Sequence, residues 1–174
     1  MASIGDGSIN TAYRFSIGGK HYFVKTNSAE WLAMFEAESA ALNEIASTKT
    51  MRAPHPICSN VADGRSFLVL EWLDLRPLDD AAASHFGRLL AALHRHTEQQ
   101  FGWCRNNAIG ATLQVNAFAA DWLMFWKERR LGFQLQLAAR NGYTGQMQDF
   151  GARLLERCDV LFVDYRPTTF IASW

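Results

Sequence analysis

The sequence lacks the features that would place it in several broad classes. It has only three cysteines, Cys58, Cys104 and Cys158, an odd number, widely spaced and without a CxxC pair. That excludes a disulfide framework and offers no zinc-ligand spacing. Neither charge is in excess, since 17 Lys+Arg stand against 17 Asp+Glu, so bulk electrostatics provide no drive toward nucleic acid or an anionic membrane. No long apolar run is present: Phe67 to Leu70 and Ala81 to Ala83 fall far short of the roughly 18 residues of a spanning helix. The first residues, Met1 to Gly7, show neither the basic segment nor the apolar stretch of a secretory leader. The expectation is a soluble, intracellular, cytoplasmic protein with no nucleic-acid or membrane partner.

What is present is ample core material. Hydrophobic residues make up 49% and aromatics 13% of 174 residues, enough for one domain or two small lobes and too much for a disordered chain. Residues 12–17 and 21–25 alternate loosely around Gly18-Gly19-Lys20, which predicts a β-hairpin. From Ser28 to Ser47, Trp31, Leu32, Phe35, Leu42 and Ile45 recur at helical spacing, with Ser28 as N-cap and Glu30 near the positive end of the dipole. Pro54 and Pro56 break the chain, and residues 66–73 then read as a buried strand. Beyond it, residues 81–96 and 118–140 are helical by period, joined by a loop over 102–116. The predicted class is α+β: a β-rich small lobe over 1–73, a link over 74–79 and a helical lobe over 80–174.

Three constellations carry chemistry. Gly5-Asp6-Gly7-Ser8-Ile9-Asn10, placed ahead of the first strand, is a candidate phosphate-covering turn in which Gly5 and Gly7 let backbone N–H groups approach a nucleotide. Lys25, at the end of the strand Tyr22-Phe-Val-Lys, is followed after 13 residues by Glu38 on the next helix. In a protein-kinase-like small lobe, a strand lysine holds nucleotide phosphates and a helix glutamate fixes its ammonium. Glu36 and Glu44 are close enough in sequence to compete for that role. Leu70-Glu71-Trp72-Leu73, where a buried strand runs into the link, is the place where such a fold offers backbone groups to adenine. A fourth segment, with Trp122, Phe125, Trp126 and Arg129 within two turns of one another, reads as an aromatic core with cation–π support. His94 and His96 end a helix and offer to cap its carbonyls, and no metal-ligand spacing is found.

Taken together, the residues resemble the fructosamine/ketosamine kinases, relatives of the aminoglycoside phosphotransferases with the protein-kinase-like fold. The resemblance runs through the glycine turn with Ser8-Ile9, Phe23-Val-Lys25-Thr-Asn27, Met34-Phe-Glu-Ala-Glu38 and Leu68-Val-Leu-Glu71. It continues through Phe101-Gly-Trp103, Asn107 to Thr112 and the specific block from Asp121-Trp122 to Glu128-Arg-Arg-Leu-Gly-Phe-Gln-Leu135. It implies an ATP site formed by Gly5, Gly7, Ser8, Lys25, Glu38 and the backbone of Glu71, Trp72 and Leu73. Family members phosphorylate the carbon-three hydroxyl of ketosamines formed when amines are glycated, which destabilises the adduct and frees the amine. That transfer implies ATP, Mg²⁺ and a ketosamine substrate, small or protein-linked.

The sequence departs from the family at its end. The family carries a His-Gly-Asp-Leu-Trp catalytic loop with metal-binding Asn and Asp after it, whereas this chain reads Asp164-Tyr-Arg-Pro167-Thr-Thr-Phe-Ile-Ala-Ser-Trp174. Back-translated with a TGA stop and read one base forward, Pro167 to Trp174 permits Pro-Gln-Pro-Ser-Leu-Leu-His-Gly-Asp; the His and Gly codons follow once Ser173 is TCA. The expectation is a single-base slip near Pro167, natural or a sequencing error, and DNA there without His-Gly-Asp in either alternate frame would contradict it. A chain without that loop is expected to be inactive, with no catalytic residue and no metal ligand of its own, and to expose apolar surface that Trp122, Phe125 or Phe133 would normally help cover. The alternative from another class is a non-catalytic, pseudokinase-like binding or interaction fragment.

Overall fold

The computed structural model describes residues 2–6, 9–165 and 167–169. The chain divides into two compact units, Met1–His96 with Asn107–Thr112, and Thr97–Asn106 with Leu113–Trp174.

The first unit is built on a five-stranded antiparallel sheet of order β1-β2-β3-β5-β4, formed by β1 (Ala2–Asp6), β2 (Thr11–Ile17), β3 (Lys20–Ser28), β4 (Pro56–Ala62) and β5 (Arg65–Glu71). Gly18 and Gly19, at φ +57° and +75°, make the tight turn of the predicted β2–β3 hairpin, which their missing Cβ atoms permit. Two strands fall outside the sequence-based expectations. β1 precedes the hairpin, and its pairing with β2 shifts register between Ser3 and Gly5, a β-bulge. β4 starts at Pro56, a breaker by sequence; β4 is an edge strand, and there a first-position proline forfeits no ladder bond. The pair Asp63-Gly64, at φ +50° and +72°, is the hairpin signal that marks β4.

A short 3-10 turn (Ala29–Trp31) leads into α1 (Leu32–Ser47). Ser28 does not cap it by accepting a backbone N–H: its hydroxyl donates to Glu30 Oε1 at 3.1 Å. α1 buries Phe35, Ala37 and Ile45, and Phe35 closes over Leu68 and Leu70 of β5, with Phe23, Met34 and Leu42 around them. The alternation along β5, in which Ser66, Leu68 and Leu70 are buried, follows from the period of two. Ser66, fully buried, donates to the Ser28 carbonyl at 2.8 Å. Residues 72–79 carry no regular element, after which α2 (Asp80–Leu93) starts with Asp79 accepting from the Ala82 N–H at 2.7 Å and ends with His94 at its C-cap.

Two short strands, β6 (Asn107–Ile109) and β7 (Thr112–Gln114), lie in the segment expected as a loop. In the second unit the predicted continuous helix starts only at Trp122, where Asp121 accepts from the Met124 N–H at 2.7 Å. It runs as α3 (Trp122–Trp126), widens to a π-helical turn over Lys127–Gly132, and resumes as α4 (Phe133–Arg140). Gly132 permits the wide turn: a Cβ there would lie 2.6 Å from the Lys127 carbonyl oxygen. α5 (Gln146–Arg157) and a 3-10 turn (Cys158–Phe162) complete the unit's helical elements among the described residues.

The π turn also corrects the cation–π expectation. At ordinary helical spacing Arg129, four residues beyond Phe125, would face its ring; the wider turn brings Arg130 there instead, with its guanidinium carbon 4.6 Å from the centroid. Trp122 stacks on Phe125 at 6.1 Å and Trp126 meets Phe162 at 5.7 Å. Phe125 is buried. The exposed apolar residues of this unit include Met124, Met147, Phe150 and Leu154.

Candidate functional site

The first unit contains a cleft of about 650 Å³, bounded by Phe23 and Leu70 on its apolar side and by Lys25 and Glu38 at a polar end. Phe23 and Leu70 are direct cross-strand partners, so they present adjacent side chains on one face of the sheet. Lys25 lies two residues beyond Phe23, on the same face by the period of two, opposite Leu68. It sits in the interior of β3 rather than at the strand end expected from the sequence.

Glu38 reaches Lys25 because of α1. Phe35 is anchored under β5, and a residue three positions later shares that face of the helix. Lys25 Nζ donates to Glu38 Oε1 at 2.6 Å, while Glu36 is exposed, so the structure selects Glu38 over that competitor. The pair is 27% and 29% exposed, partly withdrawn from water. With one N–H on Glu38, the ammonium keeps two further donors, fixed in direction and open to an anion.

The opposite wall is the strand exit. Glu71, Trp72 and Leu73 all line the cleft, with Asp74 and Leu75 beyond them. The Glu71 N–H donates to the His55 carbonyl at 2.9 Å, and its carboxylate accepts from Arg52 and from the His55 N–H. The Trp72 indole donates to Asp74 Oδ1 at 2.9 Å, and the Arg14 guanidinium sits 5.7 Å from its ring centroid. Among the described residues the backbone N–H and C=O of Leu73 make no hydrogen bond. A backbone donor and an acceptor thus border the apolar slot.

The glycine turn is only partly within view. Gly5 lies in β1 rather than ahead of the first strand, at φ +143°, a conformation that favours glycine; its neighbour Ile4 is the residue that lines the cleft. Gly7 and Ser8 lie outside the described residues. The chain immediately beyond the turn is anchored by Asn27, whose Nδ2 donates to the Ile9 carbonyl at 3.0 Å and to Asn10 Oδ1 at 2.8 Å. Sequence reasoning misses Asn27 as a positioning residue, although its place two residues after Lys25 on the same strand is an available signal.

A second polar centre, also missed, lies in the second unit. Arg130 donates to the Val115 carbonyl at 2.7 Å and to Asn116 Oδ1 at 2.8 Å. Asn116 is 2% exposed and in turn donates to the Arg105 carbonyl at 3.2 Å. Desolvation lowers the Arg130 pKa from its ordinary value, so holding the charge here costs free energy that the carbonyl acceptors offset. Among the described residues no group of three or more His, Cys, Asp or Glu could hold a metal ion, and no helix is long and apolar enough to cross a membrane.

The family model for fructosamine kinase matches residues 1–171. The chain is 41% identical to a probable ketoamine kinase of Synechocystis, covering 95% of this chain and 56% of that protein. It is 34% identical to the protein-ribulosamine 3-kinase, chloroplastic, of Oryza sativa subsp. japonica, over 93% of this chain and 48% of the relative. The chain thus spans about half the length of the curated relatives it matches. Among solved structures, a putative fructosamine-3-kinase from Haemophilus somnus superposes with a TM-score of 0.83 at 24% identity, over 95% of this chain and 55% of that one. An aminoglycoside phosphotransferase, in a thermostable mutant form, superposes with a TM-score of 0.56 at 12% identity over 94% and 56% of the two chains. At those identities the two superpositions establish the kinase-like fold.

Proposed function

The chain belongs to the fructosamine kinase family, and from that premise we propose that it forms the nucleotide-binding part of an ATP-dependent kinase acting on the sugar of glycated amines, in the service of deglycation. The observation that carries this reading is the Lys25–Glu38 pair, 2.6 Å apart, at the polar end of an apolar cleft. Adenine packs against the face formed by Phe23 and Leu70, with its polar edge toward the backbone of Glu71, Trp72 and Leu73. The phosphates run toward the two open donors of Lys25 and the turn containing Gly5, Gly7 and Ser8. In this reading residues 1–73 are the nucleotide lobe, 74–79 the link and 80–174 part of the substrate lobe.

ATP is the phosphoryl donor, and Mg²⁺ would supply charge neutralisation of its phosphates, as in enzymes of this chemistry. The described residues supply no ligand cluster for the ion. A ketosamine, small or protein-linked, is the acceptor. As a separate polypeptide, the 174 residues bind nucleotide without transferring phosphate, because the groups that orient the sugar hydroxyl are not among them.

The test is turnover of radiolabelled ATP on a fructosamine. It compares the 174 residues with a fusion that adds the segment the Synechocystis relative carries beyond the matched span. Transfer by the fusion, abolished by Lys25→Ala, together with none by the 174 residues, is the expected result. Turnover by the 174 residues above a Lys25→Ala control would overturn the inactivity, and a folded fusion indifferent to Lys25→Ala would overturn the nucleotide role.

A further inference from the structure

The second unit holds a cleft of its own, about 500 Å³, beside the π-helical turn and lined by Lys127, Glu128, Arg129, Phe133, Gln136 and Leu155. Apart from Val115 and Leu155, the lining comes from the helix over 122–140, and the nucleotide cleft uses none of it. The wide turn sorts three cations. Arg130 is directed inward and engaged by Val115, Asn116 and the Phe125 ring, whereas Lys127 and Arg129 border the cleft.

Neither of those two is well partnered. Lys127 is half-buried, yet among the described residues its ammonium makes no hydrogen bond or ion pair. Among the described residues the Arg129 side chain meets only the adjacent Glu128, at 3.6 Å with both side chains more than a third exposed, a weak pair that a better acceptor displaces. Phe133 and Leu155 supply an apolar wall to the same cleft, and the Gln136 amide a further donor.

We infer that this cleft binds a small organic carboxylate, its oxygens between Lys127 and Arg129 and its apolar tail against Phe133 and Leu155. A monoanion suits the site better than phosphate, because Glu128 at the rim offsets one of the two positive charges and repels a dianion. The site is separate from the nucleotide reading and stands whether or not ATP binds the first unit.

The test titrates 4-methylpentanoate into the folded 174-residue chain and follows backbone amide shifts. Saturable shifts confined to residues around 127–136 and Leu155 are expected. Lys127→Gln should weaken binding about tenfold, the loss of one charge-assisted contact, while Lys127→Arg retains it and Lys25→Gln leaves it unchanged. Inorganic phosphate should bind more weakly than the carboxylate. Absence of saturable binding by the folded chain, equal affinity in a folded Lys127→Gln variant, or phosphate binding as tightly as the carboxylate would overturn the proposal.

Discussion

The two units fill their interiors by different means. In the first, Phe35 and Leu68 are fully buried and Leu70 nearly so, and the buried polar group on the same face of β5, the Ser66 hydroxyl, donates to the Ser28 carbonyl. In the second, Phe125 lies under a guanidinium, and two of the buried residues, Gln114 and Asn116, are polar. Apolar contact is non-directional and roughly proportional to area, so the first interior tolerates approximate placement. A buried hydrogen-bonded network requires each donor to meet its acceptor, so the second depends on single residues in single positions. The helices differ likewise: α1 buries Phe35 against a sheet, whereas Met147, Phe150 and Leu154, spaced along one face of α5, are exposed.

Four substitutions sharpen or break that comparison. The largest effect is expected of Phe35→Ala, which removes the centre of the apolar cluster and should cost about 3–5 kcal/mol in denaturant unfolding. Hydrogen-exchange protection should fall first in β3 and β5. Arg130→Met should cost about 2–3 kcal/mol, because Asn116 Oδ1 and the Val115 carbonyl lose their donor. Its exchange signature should stay within the second unit, and equal loss of protection in both units would contradict the comparison. Gly102 adopts φ +117° with the Asn116 carbonyl 2.6 Å from where a Cβ would lie. Gly102→Ala should therefore cost about 1–3 kcal/mol through the same polar centre, again measured by chemical unfolding. The smallest stability change belongs to Glu38→Gln, under about 1 kcal/mol for a partly exposed pair. Its nucleotide affinity should nonetheless fall severalfold in a fluorescence titration, which separates the site from the core.

Legibility in the sequence divides along the same line. The β2–β3 hairpin, α1 and β5 announce themselves by turn glycines and by period, and those elements carry Lys25 and Glu38. β1 is short, contains Gly5 and is bulged, so its alternation is too brief to read. β4 is masked by Pro56, although Asp63-Gly64 points to a hairpin. The choice between Glu36 and Glu38 depends on which face of α1 Phe35 anchors, which is a packing fact. In the second unit, apolar spacing over 118–140 conveys helix but not its π turn, so the spacing favours Arg129 where Arg130 makes the contact. Hydrogen bonds among Arg105, Asn116 and Arg130 leave no periodic trace at all.

The measurement that bears most directly on the account is ATP binding by calorimetry, to the folded chain and to Lys25→Ala. A nucleotide site in the first unit requires saturable binding that weakens at least about tenfold when the ammonium is removed, the scale of a charge-assisted phosphate contact. It also requires unfolding free energies of the two proteins within about 1 kcal/mol. A folded chain that does not bind ATP, or one that binds it equally well without Lys25, would contradict the account.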